Sequence, residues 1–274
     1  MAGKKTQLEN RTASVVMAAG RGSRMKGFEG NKTLLPLVPL GSSLEGDDPI
    51  LIHILKNLPT GPKAIVVHHR ERAVMDATRG LDVTYCRQPV LNGTGGALLV
   101  TKDFLNAVDC DRIIVTMGDI PLVRPATYSR LIAELEHVHL AVLGFKPSDR
   151  KQYGLLEMAG DRVVRIMEWK YWKDLPRATL KAYTVCNSGI YAARKKTLLP
   201  YLDKMASQPH LIQKEINGEW TRVEEFFVTD MVALMHGDGL EVGCILAKDE
   251  LEVMGVDDLA ALDKAQSVYR GRFF

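Results

Sequence analysis

The 274-residue chain is poor in cysteine: Cys86, Cys110, Cys186 and Cys244 are scattered, and no two form a Cys-x-x-Cys pair. That spacing indicates neither a zinc site nor a disulfide framework, and it fits reduced thiols in a cytoplasmic protein. An excess of one charge is also lacking. Thirty-six Lys and Arg stand against 33 Asp and Glu, a net charge of +3, with the two signs mixed along the chain. The basic tract of a nucleic-acid binder is therefore missing. No apolar run approaches a membrane span, and Met1 to Ala13 is polar, without the hydrophobic stretch of a signal peptide. Residues 1–13 are expected to form a flexible tail. There is no internal repeat, no low-complexity segment and no Walker Gly-Lys-Ser/Thr loop.

What is present is enough apolar residue, 46%, to bury one large core, so residues 14–274 are expected to form a single domain. Short β-branched runs near 14–18, 63–68, 83–87, 112–117 and 139–145 predict strands. Helical patterns near 49–58, 70–79, 95–107, 125–137 and 258–270 alternate with them or follow. Such alternation predicts an α/β fold, a three-layer α/β/α sandwich around a mainly parallel sheet. Between Tyr153 and Ala193 the pattern becomes strand-rich, with Gly160-Asp161 as the turn of a hairpin.

Three constellations carry chemistry. Val15 to Ala18 breaks into Ala19-Gly20-Arg21-Gly22-Ser23-Arg24-Met25, followed by Asn31-Lys32-Thr33-Leu34-Leu35-Pro36. Glycines bring backbone N–H groups close to an anion, and Arg24 and Lys32 add cationic donors, so the loop reads as a triphosphate cradle. A plainer reading is a tight turn with both cations in solvent. Met25 stands where a dinucleotide fingerprint needs a small residue, and no acid ends the strand Lys63–His68. The second constellation is Gln88 with Gly93-Thr94-Gly95-Gly96-Ala97, an amide able to read a base edge beside a helix start with free N–H groups. The alternative there is a helix cap with a nearby surface glutamine. The third is Ile113 to Leu122, a strand ending in Gly118-Asp119, which places a carboxylate at the sheet edge where it could hold Mg²⁺. The plainer alternative is that Asp119 caps the helix that begins near Pro125 or stabilises the turn.

In this order and spacing the three motifs resemble the nucleotidyltransferase domain of bacterial UDP-N-acetylglucosamine pyrophosphorylases, of the Rossmann-like nucleotide-diphospho-sugar transferase fold. The resemblance continues through Tyr153-Gly154, Val164 to Lys170, Cys186 to Tyr191, Glu225 to Asp230 and Glu252 to Asp258. It implies that Ala18, Ala19, Gly20 and Gly22 line the nucleotide, that Gln88 and Gly93 read the uracil with Thr94 nearby, and that Asp119 and Asp257 hold Mg²⁺. It also implies that Gly154, Glu168 and Asn187 contact the sugar within a subregion of about 145–225. Lys170 would face the sugar phosphate, while Arg24 and Lys32 neutralise the triphosphate.

The implied reaction joins UTP and N-acetylglucosamine 1-phosphate, with release of pyrophosphate. A dTTP, CTP or GTP transferase for another sugar or polyol phosphate is the nearest alternative, and a non-catalytic nucleotide-sugar sensor is the alternative of another class. The family's bifunctional members continue into a β-helix that carries an acetyltransferase; nothing of that kind follows before Phe274, so that half is expected to be missing. The chain also departs from the family pattern. Asn31 replaces a proline, one residue is added between Met25 and Lys32, and Leu40 to Asp48 reads as an insertion. Gly96 replaces a histidine, Asp257 an asparagine, and Trp169-Lys170-Tyr171-Trp172 follows Glu168 where Lys-Asp is usual. Tyr171 and Trp172 would either wall the sugar pocket or pack as ordinary aromatics. Asp257 has the competing role of capping the helix that follows it.

Overall fold

The computed structural model describes residues 11–273 apart from 23, 26, 27, 217 and 218. Its strands are β1 (Thr12–Met17), β2 (Pro36–Leu40), β3 (Ser42–Pro49), β4 (Lys63–Val67), β5 (Thr84–Arg87), β6 (Arg112–Met117), β7 (Leu140–Phe145), β8 (Leu155–Ala159), β9 (Arg162–Met167), β10 (Cys186–Arg194), β11 (His210–Ile216), β12 (Glu219–Glu225) and β13 (Val242–Leu246). Nine of them form one sheet in the order β5-β4-β1-β6-β10-β7-β13-β9-β8. β5, β4, β1 and β6 pair in parallel, and so do β7 and β13; β10 and β9 run against their neighbours.

Alternation along the buried strands supplies both faces of this sheet. Val16, Ile65 and Ile114 point into a core shared with Ile50 and Ile54 of helix α1 (Ile50–Asn57), with Tyr128 and Leu131, and with Leu262 near the C-terminus. Val15, Val66 and Val115 point the other way, against Leu98, Leu105, Leu198, Leu202 and Met231. Helices thus cover both faces, the three-layer arrangement expected. β1 begins two residues earlier than the expected tail allows, because Thr12 and Ala13 are fully buried in the sheet; residues 1–10 lie outside the described part.

After β1 the chain builds β4 and then β5 on one side of it and returns to add β6 on the other, so a crevice opens beyond the carboxyl ends of these strands, where open α/β sheets bind ligands. Gly118 closes that junction by donating to the Met17 carbonyl at 2.9 Å, and a Cβ on Gly118 would itself lie only 2.9 Å from that oxygen.

Two local differences have physical reasons. The helical stretch 95–107 is two helices, Gly93–Leu99 and Lys102–Ala107, because the Thr101 hydroxyl donates to the Leu98 carbonyl at 2.7 Å and competes with the helix ladder. The inserted segment Leu40 to Asp48 is most of a β2–β3 hairpin, turned at Gly41 with φ +82°. Gln266 of the C-terminal helix (Leu259–Phe273) holds that hairpin by donating to the carbonyls of Pro36 and Ser43 at 2.9 and 2.8 Å. The expected hairpin about Gly160-Asp161 is formed by β8 and β9.

Candidate active site

At the crevice lies a cavity of about 360 Å³ lined by Ala18, Ala19, Gly20 and Gly22 on one side and by Gln88, Gly93 and Thr94 on the other. Arg24, Lys32, Asp119 and Asp257 close its floor. Gly22 has φ +63°, and a Cβ there would sit 3.4 Å from Lys32 Cδ, so glycine both turns the loop and admits the lysine stem. Met25, buried in the core, returns the loop by donating its N–H to the Gly22 carbonyl at 2.8 Å.

Asn31 positions Lys32. It is 2% exposed, and its amide donates to the carbonyls of Ala18 and His69 at 3.2 and 2.9 Å while its oxygen accepts from the N–H and hydroxyl of Thr33 at 3.0 and 2.8 Å. Two of these bonds fix the Lys32–Leu34 turn at its start, and the other two tie it to the carbonyls just beyond β1 and β4. A proline would replace none of them.

Lys32, its side chain 12% exposed, binds both Asp119 and Asp257, the latter at 2.9 Å; Arg24, 65% exposed, reaches Asp257 at 3.0 Å. Burial opposes the Lys32 ammonium, but the two carboxylates outweigh it and raise its pKa. The N–H of Val256 donates to the Asp119 carbonyl at 2.8 Å, which clamps the two acidic segments together. Asp257 is not the helix cap: the neighbouring Asp258 accepts from Ala261 N–H at 2.8 Å and takes that task. Asp119 likewise leaves the helix Pro125–Glu134 to the buried Glu252, which accepts from Arg124 N–H and the Thr127 hydroxyl at 3.1 and 2.5 Å.

A second cavity, of about 220 Å³, continues from the first and shares Arg24, Thr94, Asp119 and Asp257 with it. Gly154, Glu168 and Asn187 line it, with Tyr153, Ser188 and Thr229. Burial raises the pKa of Glu168, and a hydrogen bond from the Thr229 hydroxyl at 2.8 Å offsets this in part. The Asn187 amide donates to Tyr191 Oη at 2.7 Å and its oxygen accepts from Gly189 N–H at 3.0 Å, where φ is +81°. Burial, then Asp257 and Asp119, raise the Tyr153 pKa and keep its phenol protonated.

Residues 14–214 match the MobA-like NTP transferase domain model. The chain belongs to this NTP transferase family. The "Bifunctional protein GlmU" of Sphingopyxis alaskensis is 29% identical over 269 residues, covering 96% of the chain and 53% of that protein. The chain thus spans about half the length of the curated relatives it matches. Among solved structures, a putative glucose-1-phosphate thymidylyltransferase from Bacillus anthracis shares the fold with a TM-score of 0.70 at 18% identity, covering 96% of this chain and 97% of that one. The UDP-N-acetylglucosamine pyrophosphorylase of Trypanosoma brucei does so with a TM-score of 0.71 at 14% identity, over 96% and 68%.

In this NTP transferase all the expected nucleotide, metal and sugar residues line one of the two cavities, together with Arg24 and Lys32; Lys170 lines neither. It stands exposed with its ammonium 4.4 Å from the Phe227 ring and 4.8 Å from the Tyr171 ring. Trp172 is buried and donates to the Tyr153 carbonyl at 3.0 Å, so it packs behind the second cavity rather than walling it, and Tyr171 is exposed. The helix start at Gly93 is less open than expected, because Gly95 N–H is used by the Phe226 carbonyl at 2.8 Å. Thr229, Ser188 and Tyr153 went unread as site residues, although all three lie inside the quoted motifs.

Members of such families generally work with a divalent metal. Among the described residues no group of three His, Cys, Asp or Glu could enclose one. A two-carboxylate site nevertheless fits a hard cation that takes its remaining oxygens from phosphates and water, and the Lys32 ammonium already bridges the two acids as a cation would. No helix among the described residues is long and apolar enough to cross a membrane.

Proposed function

We propose that the chain is a cytoplasmic pyrophosphorylase that forms UDP-N-acetylglucosamine and pyrophosphate from UTP and N-acetylglucosamine 1-phosphate with Mg²⁺. The observation that carries this reading is the meeting of the two cavities at Arg24, Asp119 and Asp257. An acceptor seated against Glu168 and Asn187 has its phosphate directed at the same charged cluster that receives the triphosphate. The donor side fits a pyrimidine with an N3–H, because both protons of the buried Gln88 amide are committed to Asn92 Oδ1 and the Gly93 carbonyl, at 3.0 and 3.2 Å. Its oxygen is the end left to accept from the base.

In the proposed step a sugar-phosphate oxygen attacks the α-phosphorus in line; the new P–O bond forms as the α–β bridge bond breaks and pyrophosphate leaves. The nucleophile is already an anion, so alignment and charge neutralisation are the protein's tasks. Lys32 and Arg24 stand where the departing phosphates need positive charge. Asp119 and Asp257 would hold Mg²⁺, which when bound neutralises phosphate oxygens. Glu168, with Thr229 behind it, accepts sugar hydroxyls or the acetamido N–H, and Asn187 is held by Tyr191 and Gly189 for the same task.

The test offers UTP, dTTP, CTP, GTP and ATP in parallel with N-acetylglucosamine 1-phosphate and Mg²⁺ and follows pyrophosphate release. Release with UTP supports the reading. Release with dTTP alone moves it to a thymidylyltransferase, and binding without release in any mixture replaces it with a nucleotide-sugar sensor.

A further inference from the structure

We infer that Asn92, through the space left by Gly96, is a positioning residue that sets the orientation of the Gln88 amide and thereby the choice between uracil and cytosine; this rests on the proposed reading of Gln88 as the base contact. Asn92 lines neither cavity. Its backbone oxygen accepts from Phe226 N–H at 2.9 Å, and its side chain turns back over the helix start. There a Cβ on Gly96 would overlap Asn92 Oδ1 and lie 2.5 Å from its Cγ. Gly96 has an ordinary helical φ, so glycine is required by occupancy and not by conformation.

The Gly93 carbonyl and the Asn92 amide together decide what Gln88 presents. Gly93 offers a carbonyl, which can only accept, so the Gln88 group facing it is the NH₂. Asn92 Oδ1 takes the second proton of that NH₂ at 3.0 Å, and the Gln88 oxygen is turned to the base. That oxygen matches the N3–H of uracil and opposes the N3 lone pair of cytosine. With Asn92 gone, only the Gly93 carbonyl restrains the amide, and a flipped Gln88 would offer cytosine the donor it needs. Discrimination by an unpaired or mismatched polar group is the strong kind.

The experiment measures UTP and CTP affinity by calorimetry, and kcat and KM for both, in wild type, Asn92→Ala, Gly96→Ala and the double variant. Loss of one hydrogen bond predicts that the UTP:CTP preference falls about tenfold in Asn92→Ala, through KM for UTP and with kcat held. Gly96→Ala evicts the Asn92 amide and is expected to lose the same factor, and the double variant no more than either single one. Alanine is the better helix former, so Gly96→Ala keeps its thermal stability and misfolding does not explain the loss. An unchanged UTP:CTP ratio in Gly96→Ala, or fully additive losses in the double variant, overturns this inference and leaves the proposed function standing. A wild type that binds UTP in preference to CTP but releases no pyrophosphate does the reverse.

Discussion

The two cavities of the crevice, the proposed nucleotide side and the proposed sugar side, are built on different principles. The first is made of parallel strand ends and the turns that follow them, so backbone and small residues do much of the shaping: Ala18 to Gly22 after β1, Gly93 to Gly95 after β5, Gly118 after β6. The second is made of side chains carried by the antiparallel part of the sheet, where β10 is irregular between Asn187 and Tyr191, and by the crossing segment Val228-Thr229. A turn demands particular residue types in a fixed local order, whereas a wall of side chains requires only that distant segments converge. The first kind of site leaves a compact trace in a sequence and the second a diffuse one.

The largest expected effect falls where the two sides meet. Asp119→Asn removes a charge proposed to hold the metal and one of the two carboxylates that bind Lys32; turnover is expected to fall at least about 100-fold with a much smaller change in UTP affinity, as read by steady-state kinetics beside calorimetry. Equal losses in kcat and affinity would make Asp119 a binding residue only.

Asn31→Ala breaks the nucleotide side through its support. The buried Ala18 carbonyl and the half-buried His69 carbonyl each lose a donor and Thr33 loses an acceptor, at about 1–3 kcal/mol for each buried group left unsatisfied. The melting temperature is expected to drop by several degrees and kcat about tenfold, because Lys32 is no longer tied to the end of β1. Stability equal to wild type would show that the loop holds itself.

Glu168→Gln sharpens the contrast on the sugar side. KM for the sugar phosphate is expected to rise about tenfold while KM for UTP stays, since a charge-assisted hydrogen bond becomes a neutral one. The same change is expected to stabilise the fold at neutral pH. Burial holds the folded Glu168 pKa above the ordinary carboxylate value, so the folded state binds the proton more tightly than the unfolded chain, and stability declines as pH rises from that ordinary value through the raised one. In Glu168→Gln that part of the pH dependence of the melting temperature disappears; its persistence would assign it to another group.

The smallest effect is expected at Lys170. It stands over aromatic rings outside both cavities, so Lys170→Ala should change kcat and sugar-phosphate KM by no more than about twofold. A loss near that of Asp119→Asn would mean that bound substrate draws this side chain inward.

The strand-and-turn skeleton, the glycine-rich loop after β1 and Asp119 beyond the end of β6 were legible because each has a local cause; Asp257 came only with the resemblance, since its own surroundings in the sequence read as a helix cap. The support of Lys32 was not: Asn31 reads as a lost proline, and only the proximity of Ala18 and His69 reveals it as the centre of four hydrogen bonds. Gly96 likewise reads as a lost histidine until the Asn92 side chain is seen in the vacated space. The insertion at Leu40 to Asp48 gave no sign of its hairpin, because β3 is polar with no fully buried residue and its hold comes from Gln266 far along the chain. Lys170 shows the converse. Its spacing from Glu168 matched the pattern, but in the short helix Trp169–Trp172 it stands over Phe227 and Tyr171 and lines neither cavity.

The central claim is transfer between two ligands that meet at the Lys32, Asp119 and Asp257 cluster. The measurement that tests it most directly is pyrophosphate release from UTP and Mg²⁺, with and without N-acetylglucosamine 1-phosphate, with the nucleotide sugar quantified in the same samples. The account predicts release only when the sugar phosphate is present, matched one to one by UDP-N-acetylglucosamine and abolished by chelating the metal. Release that is indifferent to the sugar phosphate, or complete mixtures that yield neither product, would contradict it.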